Sequence, residues 1–103
     1  MATTKQIRVA EAVAAVLKKN LTDALGANEI TVVTDGRTAH VVWEAGPFEW
    51  APCVTMGESI FSGELDCYGT PAEEWAKEIT AVCSANDVYL EADNNYSISV
   101  WEA

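Results

Sequence analysis

Apolar residues recur at steps of three and four through residues 4–25. Ile7, Ala10, Ala14, Leu17, Leu21 and Leu25 form one stripe, and Val13 and Ala24 widen it. That spacing predicts a long amphipathic helix. Thr3-x-x-Gln6 at its start has the form of a capping box, and Gly26 offers a left-handed residue at its end. The pattern then changes. Residues 29–35 and 38–44 are rich in Val, Ile and Thr and flank Asp35-Gly36, a dipeptide whose residues both tolerate positive φ. Two strands joined by a tight hairpin are expected.

Residues 45–70 hold Gly46, Pro47, Pro52, Gly57, Gly63 and Gly69, with two further strands predicted at about 50–56 and 59–67. Pro52 confines the first of these to an edge or a bulge. Thr70-Pro71-Ala72-Glu73 then reads as a helix start, with a Thr cap, Pro in the first turn and Glu closing the box. That helix runs to about Ser84 with Trp75, Ile79, Val82 and Cys83 on one face. Residues 87–92 and 96–101 form a closing hairpin around Asp93-Asn94-Asn95.

The two helix–hairpin segments align without a gap at an offset of 58, and ten of the 32 positions from 14 to 45 are identical. Ala27-Asn28 matches Ala85-Asn86, Asp35 matches Asp93, and Val42-Trp43-Glu44-Ala45 matches Val100-Trp101-Glu102-Ala103. An internal duplication is expected, with copy one at about 4–45, a variable insertion at 46–70 and copy two at 71–103. A helix–strand–strand unit cannot bury its apolar face alone, so the two copies should pack together. The expected fold is α+β in a single domain of 1–103. It is an antiparallel sheet of about four to six strands with both helices on one face, in the order α-β-β-(β-β)-α-β-β.

The chain has 103 residues, half of them hydrophobic and 21% charged, which suits a globule rather than a disordered acidic tail. Its formal charge is −10. That acidity argues against direct binding to nucleic acid and against anionic membranes. Residues 1–37 carry five basic and four acidic side chains, whereas 38–103 carry one and twelve, a net of −11. The N-terminus lacks a signal-peptide pattern, no apolar run is long enough to span a bilayer, and three cysteines do not make a secreted framework. A cytoplasmic protein is expected.

Candidate chemistry is sparse. His40 with Cys53 and Cys67 offers soft metal ligands, but no local ligand pairing accompanies them. The same holds for a Cys–His nucleophilic pair, and Cys83 belongs to a helical apolar stripe. Glu73 and Glu74 sit where a helix dipole favours carboxylates, and Glu64 with Asp66 on one strand face offers a weak cation patch without the regular ligand spacing of a Ca²⁺ loop. There is no Gly-rich phosphate loop. No catalytic, cofactor or metal residue is assigned, and a non-enzymatic protein is expected.

The four tryptophans are more informative. Trp43 and Trp101 hold equivalent places in the repeat, but hairpin register decides which side of the sheet each faces. A two-residue Asp35-Gly36 turn sets Trp43 with Ile30, Val32, Ala39 and Val41 on the core side. A three-residue Asp93-Asn94-Asn95 loop aligns Val88, Leu90, Tyr96, Ile98 and Val100, leaving Trp101 opposite with Tyr89, Ser97 and Ser99. A shift of one residue reverses either assignment. Core packing and display to a partner are therefore both open for these tryptophans. Trp50, beside Phe48 in a Pro-bounded loop, is another contact candidate. The candidate partner-binding residues are Trp43, Trp50, Trp101, Tyr89, Glu64, Asp66 and Glu91.

The element order and acidity resemble small acidic secretion-chaperone-like folds, which implies a homodimeric chaperone or adaptor as one function. The residues themselves favour another. An acidic, aromatic-bearing module that engages a basic protein, nucleic-acid-binding proteins among them, is the leading expectation. A phage or accessory inhibitor, or a counter-defence protein, would be of this kind.

Overall fold

The computed structural model of the chain describes residues 1–25, 30–43, 72–94 and 97–102. Helix α1 spans Thr4–Leu25 and opens as its sequence predicts. The Thr3 N–H donates to Gln6 Oε1 at 2.8 Å, and the Gln6 N–H donates to Thr3 Oγ1 at 3.1 Å. This reciprocal box satisfies two donors that the first turn leaves unpaired. Helix α2 spans Ala72–Asn86, where the Asn86 side chain donates to the Val82 carbonyl at 2.8 Å. Asp87 follows in the left-handed region, with φ of 54°. Gly26, the cap at Thr70-Pro71 and the strands expected at 50–56 and 59–67 lie outside the described residues.

Four strands are described: β1 (Thr31–Thr34), β2 (Ala39–Val42), β3 (Val88–Asn94) and β4 (Ser97–Glu102). They form one antiparallel sheet in the order β1-β2-β4-β3, so the second strands of the two hairpins meet at the centre. Ala39, Val41, Trp43, Ile98 and Val100 point from these strands into the core. Opposite them, α1 supplies Val9, Val13 and Leu17 across β1, β2 and β4, while α2 supplies Trp75, Ile79 and Cys83. Both described helices therefore cover one face of the sheet, and the structure is α+β.

Both turns differ from expectation by a slide that leaves the faces unchanged. In the first hairpin Thr34 pairs with Ala39, so Gly36 and Arg37 form the tip in place of Asp35 and Gly36. Asp35 explains the shift. Its Oδ1 accepts the N–H groups of Arg37 at 2.7 Å and Thr38 at 2.9 Å, and its own N–H donates to the Thr38 carbonyl at 3.1 Å. The carboxylate closes the turn, and neither Asp35 nor Gly36 adopts positive φ. In the second hairpin Asp93 and Asn94 belong to β3 instead of the loop. Ala92 pairs with Ile98 and Asn94 with Ser97, leaving Asp93 as the extra residue of a bulge.

That odd residue separates the hairpins. In the first, Ile30, Val32, Ala39, Val41 and Trp43 share the core side; in the second, Val88, Leu90, Ile98 and Val100 do. Trp43 is therefore buried, at 3% exposure, and Trp101 lies on the face away from the helices.

The two termini generate a stability prediction. Thr3→Ala should lower unfolding free energy by about 1 kcal/mol through loss of the box. Asp87→Gly should raise it by up to about 1 kcal/mol, because glycine occupies the left-handed region without a Cβ clash. Urea titration monitored by circular dichroism reads both. A destabilised Asp87→Gly protein would contradict the cap assignment.

Candidate functional site

Strand alternation places His40 of β2, Ser97, Ser99 and Trp101 of β4, and Tyr89 and Glu91 of β3 on the face opposite the two described helices, which is helix-free among the described residues. Cross-strand pairing sets His40 beside Ser99, Ser99 beside Glu91, and Trp101 beside Tyr89. The residues of β4 nearest His40 are small, and this matters sterically. The imidazole reaches across β4 to Asp93 on β3, two strands away, and Ser97 and Ser99 are buried in consequence.

His40 is held at both nitrogens. Nε2 lies 2.6 Å from Asp35 Oδ2, and Nδ1 lies 2.9 Å from Asp93 Oδ2. Carboxylates only accept, so both bonds are made together only by the doubly protonated ring. Partial burial opposes that charge, but the hydrogen bonds to Asp35 and Asp93 outweigh it and raise the His40 pKa above its ordinary value. Asp35 is shifted the other way. The Thr38 N–H, then the His40 ring and the Arg37 N–H, hold its carboxyl well below the usual range. Asp93 also accepts from Ser97 Oγ at 2.9 Å. The two aspartates clamp His40 from the two hairpins.

Beside the clamp lies an aromatic pair. Tyr89 is 52% exposed, and its partner Trp101 is half-buried. Trp101 Nε1 donates to Ser99 Oγ at 2.8 Å, and that hydroxyl donates to the Glu91 carbonyl at 3.2 Å. Arg37, from the first hairpin's tip, rests its guanidinium 5.4 Å from the Trp101 ring centroid. Val33 of β1 adds apolar surface, at 46% exposure.

Of the candidate binding residues, Trp101, Tyr89 and Glu91 come together here. Trp43 does not join them. Its register keeps the ring in the core, where Nε1 finds no acceptor among the described residues. Trp50, Glu64 and Asp66 lie outside the described residues, as do Phe48, Cys53 and Cys67. Cys83 packs on the helix side, away from His40, and burial pushes its thiol up to about 11. No group of three or more potential metal ligands is found among the described residues. Both ring nitrogens of His40 are committed to carboxylates.

Part of the charge asymmetry is used within the fold. Lys5 meets Glu102 at 3.4 Å, and Lys19 meets Glu78 at 2.8 Å, joining the balanced half to the acidic one. These exposed pairs contribute little stability each. Glu91 is exposed and has no ion pair among the described residues. Among the described residues no helix is long and apolar enough to cross a membrane. No family model matches the chain, and no curated protein or solved structure matches it.

The clamp predicts a pH dependence. A pKa raised by folding contributes stability that is complete below the unfolded histidine value near 6.5 and is lost as pH rises through the folded value. The thermal midpoint should therefore fall as pH rises above the ordinary histidine value of 6.5 and through the raised folded value. His40→Gln should flatten that slope, while the depressed Asp35 acts only at the acid end. Equal slopes in wild type and His40→Gln would remove the clamp as the cause.

Proposed function

We propose that the chain is a non-enzymatic protein-binding module of the cytoplasm that receives a basic protein on the helix-free face of its sheet. The observation that carries this reading is the Tyr89–Trp101 pair, half open to solvent and flanked by Glu91 on a face neither helix covers. Aromatic side chains anchor interfaces with little loss of conformational freedom, and surrounding carboxylates steer a positive partner. The net charge of −10 favours the same class of partner and disfavours direct contact with nucleic acid or anionic lipid. A nucleic-acid-binding protein, blocked by an acidic phage or accessory inhibitor, fits this chemistry.

The repeat bears on how such a face arose. We read the halves as copies of one αββ unit. The burial of Leu17 with Trp75 and of Ile30 with Val88 supports that origin, as does the partial burial of Val32 with Leu90. On this reading, a change of pairing register in the second hairpin, with no change in its length, turned a copied core tryptophan outward. A homodimeric adaptor is the second reading, favoured by the uncharged edge strand Thr31–Thr34 with its exposed Val33.

Partner capture followed by titration tests the main reading. Affinity for the captured basic protein should weaken steeply between about 50 and 500 mM salt, where the Debye length shortens. Tyr89→Ala should cost on the order of 1–2 kcal/mol of binding while leaving the fold intact. Affinity indifferent to both salt and Tyr89→Ala would sink it. Light scattering decides the second reading: a strictly monomeric protein at high concentration removes the adaptor dimer.

A further inference from the structure

Arg37 stands out among the cations of the first half. Lys5 and Lys19 each meet a carboxylate, and Arg8 reaches Asn86 Oδ1 at 3.3 Å. The exposed Arg37 guanidinium has no ion pair among the described residues and sits over the Trp101 ring. Its backbone is fixed independently, by the bond from its N–H to Asp35, so the turn does not need the side chain there. The ring beneath is equally prepared. Trp101 is oriented by its bond to Ser99, which is tied in turn to the Glu91 carbonyl, and Tyr89 stands beside it. Glu91 is the next residue on this face of β3, one pair along from Tyr89.

We infer that Trp101, walled by Tyr89 and Glu91, is a seat for an arginine side chain of the basic partner, and that Arg37 is its intramolecular placeholder. This deepens the reading of a basic partner and rests on it. A planar guanidinium stacks on an indole face and offers five donors at its rim, whereas an ammonium is compact and more strongly hydrated. Arg37 demonstrates that the ring accepts such a group. The exchange is inexpensive because the contact is exposed, and a partner arginine would gain the Glu91 carboxylate as well.

Nuclear magnetic resonance of the Trp101 indole N–H tests the seat, with hexa-arginine and hexalysine peptides as probes in about 150 mM salt. Arg37→Ala vacates the ring, and Lys18→Ala removes the same charge from α1, on the other side of the sheet. Arg37→Ala should bind hexa-arginine about two- to five-fold more tightly than Lys18→Ala does, with the Trp101 signal shifting on addition. Hexalysine should bind the two variants alike. Equal hexa-arginine affinity in both variants overturns the seat, as does binding that leaves the Trp101 signal unmoved. In either case the salt-sensitive basic-partner reading survives. Failure of both peptides to bind even at low salt overturns the two together.

Discussion

Side chains of a β-strand alternate between faces, so an inserted residue reverses everything beyond it unless the turn compensates. The second hairpin contains such a residue in Asp93, bulged between the Ala92–Ile98 and Asn94–Ser97 pairs. The first hairpin contains none. This single difference of parity sends Trp43 into the core and Trp101 to the helix-free face, although the two lie in the same four-residue motif. Asp93 itself lies on the same face as Tyr89 and Glu91, where it meets His40.

The helix-free face depends on that meeting. His40 must cross a strand to reach Asp93, and only small residues on β4 leave room; Ser97 and Ser99 supply it. With Asp35 on the other ring nitrogen, the histidine ties the first turn to β3, two strands away. A face that might have been a loose polar surface thus has an ordered ionic centre. The aromatic pair beside it inherits that order through Ser99.

Charge plays two parts. Lys5–Glu102 and Lys19–Glu78 link the balanced first half to the acidic second half, so some of the asymmetry serves assembly of the sheet and helices. The acidic residues left on the helix-free face, Glu91 foremost, serve recognition on the reading proposed above. The core needs none of this. Val9, Val13, Leu17, Ile79, Ile98 and Val100 are fully or almost fully buried and supply the burial that keeps the helices on one side.

Much of this was legible from local pattern. The helical stripe from Ile7 to Leu17, the Thr3–Gln6 box, the two hairpins and the α+β class follow from interactions within a few residues, which sequence spacing records directly. The faces of Trp43 and Trp101 stayed open, because a shift of one residue in either turn reverses them, and the register of the assembled hairpins settled them. The clamp was not legible. Asp35 and Asp93 are marked as repeat equivalents, but nothing local links either to His40, which the sequence suggests only as a metal ligand or strand residue. Their meeting requires β2 to lie beside β4 and β3 to flank β4 on its other side, an order settled by long-range packing. Periodicity determined which residues form helices and strands and which side of each is apolar. Strand order and hairpin register, decided only in the assembled sheet, determined which polar groups meet, because side chains two strands apart share no sequence neighbourhood.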